Sequence, residues 1–399
     1  MTLAMITPQG RSAALRRWAA RGPHILCMGA MLLATLPGTV SARAAPASAE
    51  AGALPTDLSL APDSVTVSGL SSGGFIAHQF HLAHAEFVRG AGIVAGGPFG
   101  CAERVPNPWT PRGAPLPRIQ AATLSCTHVA GSRLLGLPVP SPRVEDSLAV
   151  IAEATRAGAI AAPSHLAAAR VWLFRGDADH VVPRETFDAL VALYRRLGVA
   201  EPALLVRRSE GLRAAHGMPV SDFPERGPLP ARACDDYGPP FINRCGFDAA
   251  GEILAHLYGP LADPGDPAAG GDLLPFQQRP FVPLTAAEPG MAEVGWVYVP
   301  KDCRHQRCRL HVVFHGCQQD AGTPPAPGGI GADFLLDAGY DRWAVSNRVV
   351  VIYPQVTETR SNPRRCWDWW GYSGEAYLGR GAPQIMAVRA MVARLLDGR

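Results

Sequence analysis

Lysine is almost missing from this sequence. Lys301 is the only one in 399 residues, so basic charge is carried by arginine, a skew that fits genome composition better than any binding site. Neither sign of charge dominates: a formal net charge of +3 over this length makes no basic face, which argues against a nucleic-acid partner. Paired Cys-x-x-Cys spacings are absent, so a zinc site has little support, and neither metal nor cofactor is expected. The apolar run at 25–40 is short and broken by Pro37 and Gly38, which makes it a poor membrane span. Nothing resembles a specificity pocket for a charged side chain, as a peptidase would need.

What is present points first to export. Arg11, Arg16, Arg17 and Arg21 precede that apolar run, and Ala42-Arg43-Ala44 fits an Ala-x-Ala cleavage site, so residues 1–44 read as a signal peptide, the rival being an uncleaved anchor. The mature protein is expected outside the cytoplasm, periplasmic or extracellular, off the membrane and monomeric. Cys27 would be lost with the signal, leaving Cys101, Cys126, Cys234, Cys245, Cys303, Cys308, Cys317 and Cys366. An even set in an exported chain suggests disulfides, although eight cysteines allow 105 pairings. Close spacing favours Cys234 with Cys245 and Cys303 with Cys308; Cys101 with Cys126 and Cys317 with Cys366 are guesses that spacing does not fix.

The chain is organised around residues 65–75. A β-branched run ends in Gly69-Leu70-Ser71-Ser72-Gly73, and an apolar stretch from Phe75 to Phe87 reads as a helix. Strand, sharp glycine turn and helix are the context of a nucleophile elbow, which lifts a serine hydroxyl clear of a sheet. Residues 90–97 read as a buried strand, 98–142 as a proline-rich stapled loop, and 144–157 as a helix. The run 170–174 is a strand that enters Gly176-Asp177-Ala178-Asp179-His180-Val181-Val182-Pro183, and a helix over 185–197 follows. An acid in such a loop fits the acid of a serine hydrolase, and Asp179 fits better than Asp177; the alternative is that both are capping or solvated residues. After a strand over 203–207 comes Ala214-Ala215-His216-Gly217-Met218-Pro219. His216 completes the chain order Ser, Asp, His of the α/β-hydrolases, though a lone loop histidine is ordinarily just solvated.

A helix over 247–258 precedes residues 259–283, which are dense in Gly, Pro and Asp and read as a linker. The chain then runs on for more than a hundred residues. Strands over 294–299 and 309–314, the turn His315-Gly316-Cys317-Gln318-Gln319, a helix over 332–346, a strand over 348–353 and a last helix over 383–396 supply the elements that an α/β-hydrolase keeps ahead of its elbow. The expected fold is therefore a circularly permuted α/β-hydrolase, one catalytic domain over 45–399, with a mostly parallel sheet covered on both faces. Residue 396 should lie near residue 60, and 259–283 should join what are termini elsewhere. The rival is an independent small C-terminal domain.

In chemical terms His216 would take the Ser71 proton and Asp179 would orient and stabilise the imidazole. N–H groups of Ser72 and Cys317 would receive the negative charge that develops on a carbonyl oxygen. The segment Cys366-Trp367-Asp368-Trp369-Trp370-Gly371-Tyr372 offers Trp367, Trp369, Trp370 and Tyr372 as an aromatic surface for an extended, semi-apolar substrate, unless these rings are ordinary core.

GLSSGGF, GDADHVVP, AHGMP, HGCQQ and NPRRCWDWWGY together resemble the extracellular polyhydroxybutyrate (PHB) depolymerases with a circularly permuted catalytic domain. The resemblance implies the triad Ser71, Asp179, His216, an oxyanion hole from the Ser72 and Cys317 amides, and cleavage of poly(3-hydroxybutyrate) to oligomers and monomer. Many relatives append a polymer-binding domain and this sequence stops after its last catalytic helix, so amorphous polymer or soluble oligomers are the expected substrates. A feruloyl or acetyl-xylan type esterase is the alternative within hydrolases, and an inactive granule-binding protein the alternative outside them.

Overall fold

The computed structural model describes residues 51–110, 114–128, 140–209, 211–284, 288–322 and 331–398; the expected export signal lies outside them. All fall within one compact unit, 42–399. Eight strands form the central sheet, and they read as apolar runs because both faces are covered. They are β1 (Thr66–Leu70), β2 (Gly90–Val94), β3 (Arg170–Phe174), β4 (Leu204–Arg207), β8 (Gly271–Gln277), β9 (Val294–Pro300), β10 (Arg309–Phe314) and β11 (Val349–Tyr353), in the order β4-β3-β2-β1-β10-β11-β9-β8. Pairing is parallel from β4 to β11, then antiparallel through β9 and β8.

The elbow strand β1 is central, with β2 on one side and β10, from the far end of the sequence, on the other. Every residue of β1 and of β11 is buried. One face packs Val67, Ile93, Leu173 and Val312 against Ile76 and Phe80 of α1 (Ser72–Ala83), with α3 (Val144–Arg156), α4 (Arg184–Arg196) and α9 (Pro383–Asp397) completing that layer. The other packs Leu70, Val94, Phe174 and Val351 against α5 (Ala249–Tyr258) and α8 (Tyr340–Asn347). The polar side chains Thr66 and Ser68 face this second layer, where the two ring nitrogens of His311 meet their hydroxyls at 2.7 and 2.8 Å. A three-stranded sheet, β5 (Met218–Val220), β7 (Ile242–Arg244) and β6 (Arg232–Ala233), stands apart from the main one.

Several expectations need correction. The first helix begins at Ser72 and ends at Ala83, because the elbow leads straight into it. The segment 98–142 is more than loop: α2 (Arg118–Ala121) continues into a π turn, Ala122–Cys126. The stretch 259–283 carries a short helix, α6 (Pro267–Gly270), and the edge strand β8, which pairs along its length with β9 and is met on its outer side by a single bridge from Gly52, which uses the Pro275 carbonyl and needs no N–H from that proline. The helix expected over 332–346 is two, α7 (Asp333–Asp337) and α8, parted where Gly339 takes φ 89°. The end of α9 comes back to the beginning of the unit: a Cβ on Gly398 would lie 3.0 Å from the Thr56 carbonyl oxygen.

Disulfides join Cys234 to Cys245 and Cys303 to Cys308, the two pairs that spacing favours, and also Cys101 to Cys126 and Cys317 to Cys366, which spacing alone does not fix. Among the described residues no helix is long and apolar enough to cross a membrane, and no group of three or more His, Cys, Asp or Glu is arranged to hold a metal ion.

Candidate active site

Ser71 occupies the turn between β1 and α1 with φ 58° and ψ −122°, a conformation L residues seldom adopt. Two glycines let the turn close: a Cβ on Gly69 would lie 2.1 Å from the Gly73 carbonyl oxygen, and one on Gly73 2.2 Å from that of Phe314. The Ser71 N–H donates to the Val94 carbonyl at 2.9 Å, and the Ser71 carbonyl accepts from the Phe75 N–H at 3.0 Å. Held on both sides, the residue lies on the wall of a cavity of about 360 Å³. Ser72 is the first residue of α1, where backbone N–H groups have no partner inside the helix.

His216 borders the same cavity, and Asp179 stands behind it. The Asp179 Oδ2 meets His216 Nδ1 at 2.9 Å, while its Oδ1 accepts the N–H groups of Val181 at 2.8 Å and Val182 at 2.9 Å. Burial alone would raise this carboxyl, but the His216 charge and hydrogen bond, the Val182 N–H and the Arg175 charge together hold it below the usual carboxylate range. Asp177, the competing acid, is exposed and accepts a hydrogen bond from the Ser209 hydroxyl. Arg175 braces the acid loop by donating to the carbonyls of Val182 at 2.7 Å and Asp179 at 2.6 Å. The acid and base loops are laced together by the Ala178 N–H on the Ala214 carbonyl at 3.0 Å. Ala215 N–H in turn donates to Cys234, at 2.8 Å, inside the part stapled by the Cys234–Cys245 disulfide.

The His-Gly-Cys turn comes to the cavity from the end of β10, so Gly316, Cys317 and Gln319 line it together with Ser71, Ser72 and His216. The Gly316 N–H is taken by the Gln319 Oε1 at 2.7 Å and the Gln318 N–H by the Arg364 carbonyl at 2.9 Å. Gln319 also donates from Nε2 to the Pro240 carbonyl at 3.1 Å, in the segment that carries Tyr237 and Phe241 along the cavity wall. The Cys317–Cys366 disulfide ties the turn to the aromatic segment.

That segment divides. Trp369 and Trp370 line the cavity, with Trp369 stacked on Phe75 at 4.1 Å. Trp367 does not: it is fully buried, edge-on to Phe314 at 4.9 Å, because the backbone turns its ring under the sheet end. Tyr372 also lies outside the cavity. Its hydroxyl donates to the Cys366 carbonyl at 2.8 Å and accepts from Gln384 at 2.7 Å, and its ring lies 5.1 Å from that of Trp370. Asp368 gives the loop its shape, receiving the N–H groups of Gly371, Tyr372 and Ser373 and the Ser373 hydroxyl.

Sequence reasoning missed Gln319, Arg175 and Tyr237, whose ring lies edge-on to His216 at 6.1 Å. Gln319 was visible within HGCQQ, but its partners are remote in sequence; Tyr237 carried no signal.

Comparison with known proteins converges on one group. The family described as "Esterase PHB depolymerase" matches residues 295–399. A poly(3-hydroxybutyrate) depolymerase of Delftia acidovorans is 36% identical over 338 residues, covering 84% of this chain and 60% of that protein, so the chain spans about three fifths of this relative's length. The crystal structure of the PHB depolymerase from Penicillium funiculosum superposes with a TM-score of 0.72 at 28% identity, covering 87% of this chain and 99% of the other. A Ser→Ala variant of a PHB depolymerase complexed with an R3HB trimer gives a TM-score of 0.71 at 27% identity, with the same coverage of each chain.

Proposed function

Because the chain belongs to the esterase family of the PHB depolymerases, we propose that it is a carboxylic ester hydrolase that cuts poly(3-hydroxybutyrate) chains or their oligomers to shorter oligomers and monomer. The observation that carries this reading is the Asp179–His216 hydrogen bond on the wall of the cavity that also holds the strained Ser71 turn and Cys317. The R3HB trimer bound by a similar fold supports the substrate class.

In this mechanism the substrate ester lies against Trp369 and Trp370 with its carbonyl carbon at Ser71. His216 withdraws the Ser71 proton as the oxygen attacks, and ionised Asp179 stabilises the imidazolium and fixes its tautomer. Negative charge on the carbonyl oxygen is received by the Ser72 and Cys317 amides, each such donor being worth about 3 kcal/mol of barrier. Collapse expels the alcohol end of the chain, protonated by His216, and leaves an acyl-enzyme. Water activated by His216 then releases the acid and restores Ser71.

The strand connectivity supports the reading of a circular permutation. Taken from β8 through β11 and then from β1 through β4, the strands run across the sheet with only β10 and β11 exchanged, and the approach of Gly398 to Thr56 supports the rejoining of ends. The four disulfides support an exported protein, since such bonds persist in oxidising compartments.

The test compares release of 3-hydroxybutyrate from the polyester with release of ferulate or acetate from substituted xylan, for the unaltered protein and Ser71→Ala. Polyester hydrolysis should dominate and vanish in the variant while binding to polymer persists. Faster release of ferulate or acetate, or unchanged hydrolysis by Ser71→Ala, contradicts the reading.

A further inference from the structure

Histidine aside, Arg364 is the one acidic or basic side chain among the described residues on the wall of the cavity that holds Ser71. It is exposed, and its guanidinium has no carboxylate partner among the described residues. Its neighbour Arg365, by contrast, is engaged by Asp320 at 3.8 Å and Glu358 at 2.9 Å. Two contacts fix where Arg364 stands. Its carbonyl accepts the Gln318 N–H at 2.9 Å, one residue past Cys317 in the His-Gly-Cys turn. Its charge also reaches Tyr237, for burial raises that phenol and the Arg364 charge opposes the rise. The Tyr237 ring lies edge-on to His216 at 6.1 Å. An unneutralised cation therefore stands at the mouth of an otherwise uncharged cavity, on the side that carries the catalytic imidazole.

We propose that Arg364 receives the terminal carboxylate of a hydroxyalkanoate oligomer, so that the enzyme cuts the last ester bond at the carboxyl end of a soluble chain and releases one monomer at a time. The inference rests on the polyesterase reading of the active site. In a chain of 3-hydroxy acids each unit is joined through its hydroxyl oxygen to the carbonyl of the unit before it, so the free carboxylate always travels with the alcohol half of the broken bond. His216 protonates that alcohol oxygen, which puts the departing unit on the side of Tyr237 and Arg364. When the terminal bond is the one cut, the carboxylate lies a single unit from the reacting carbon, and a guanidinium can pair with it through two hydrogen bonds. Ser71 Oγ then bonds to the carbonyl carbon, the ester C–O bond breaks, and the departing unit takes its proton from His216 and leaves as 3-hydroxybutyrate. A longer departing piece sets a neutral ester at the same place and leaves the arginine to water.

A linear tetramer of 3-hydroxybutyrate, isotopically labelled in its carboxyl-terminal unit and supplied as the free acid and as the carboxyl methyl ester, tests this. For the unaltered enzyme kcat/KM should be about threefold to tenfold higher on the free acid, the range for an exposed but bidentate ion pair, and the preference should shrink as salt is raised. Labelled monomer should be the first product from the free acid. Arg364→Gln should bring the free acid down to the value for the methyl ester and release labelled and unlabelled pieces together; hydrolysis of the methyl ester by this variant verifies that it is folded. Arg360→Gln removes a nearby exposed arginine that does not line the cavity, and it should keep the preference. Equal kcat/KM on acid and ester in the unaltered enzyme, or unlabelled monomer as the first product, overturns the carboxylate site and leaves the polyesterase reading standing. A preference that survives Arg364→Gln, or falls equally in Arg360→Gln, removes Arg364 from this role. Failure to cut either tetramer overturns both.

Discussion

Gln319 holds Gly316 by its backbone: the side-chain Oε1 accepts the Gly316 N–H at 2.7 Å, while the Nε2 reaches Pro240. One amide side chain thus sets the pitch of the His-Gly-Cys turn and couples it to the wall that carries Tyr237 and Phe241. Gln319→Leu should strand the Gly316 N–H and lower kcat about tenfold or more with little change in KM, as expected when a group that positions a transition-state donor is lost. Gln319→Glu retains the acceptor, so it should fall between the two. Steady-state kinetics on a soluble short-chain ester decide, and a pure KM effect would contradict the assignment.

The two acids of the 176–183 loop should behave differently. Asp179→Asn should lower kcat by on the order of 10³–10⁴ while the fold stays intact, because the imidazole loses the partner that fixes its tautomer. Asp177→Asn, at an exposed position, should change kcat/KM by less than about twofold. Comparable losses in both variants would remove Asp179 from its assigned role.

Three buried rings predict acid lability. Burial lowers His78 to about 4, partly opposed by its hydrogen bond to Gly97. Burial together with His78 lowers His81 to about 3, and burial lowers His311 to about 3. These rings stay neutral in the native state while the unfolded chain takes up their protons below about pH 6.5, so stability is full above that pH and declines as pH falls toward 4. Each ring contributes on the order of 1 kcal/mol per pH unit in that interval. Urea midpoints at pH 7.5 and pH 5 measure the decline, and His81→Gln should reduce it. Equal midpoints at the two pH values would mean that the rings are not held neutral.

The elbow should tolerate no side chain at Gly73. Its Cβ would meet two backbone carbonyls, Phe314 at 2.2 Å and His315 at 2.4 Å, neither of which is free to swing aside. Gly73→Ala should abolish activity and lower Tm by several degrees, whereas Gly52→Ala, with nothing within 4 Å, should do neither. Calorimetry and an ester assay on both variants provide the check.

The disulfides are expected to be unequal. Removing Cys317–Cys366, which spans 49 residues and anchors the His-Gly-Cys turn to the aromatic loop, should cost about 2–4 kcal/mol and reduce kcat. Removing Cys303–Cys308, which spans 5 residues away from the cavity, should cost less and leave kcat intact. Paired Cys→Ser variants, unfolded in urea and assayed, separate the two.

Much of this architecture was legible where local chemistry was unambiguous. The run Val349–Tyr353 can be little but a buried strand, and Gly69 and Gly73 around Ser71 announce a tight turn. Asp179 stood out from Asp177 by its place in the loop. Legibility failed where composition and role part company: β8 is an edge strand written in Gly, Pro and Asp, so it looked like linker. Trp367 and Trp369 stand two apart in one loop, and only the packing of Phe314 and Phe75 decides that one ring goes into the core and the other to the cavity. Gln319 escaped because its meaning depends on Pro240, 79 positions away.

The neighbours of β1 carry one more implication, for biosynthesis. Translation delivers the innermost strand first, with β2 soon after it but its other partner β10 some 245 positions later, so during most of elongation one edge of β1 is left unpaired. Assembly of the sheet centre must await emergence of Phe314, and contacts of such long range fold slowly. Until then the growing molecule should depend on holdase chaperones, and ribosome-stalled fragments that end before residue 309 should aggregate rather than acquire protease resistance.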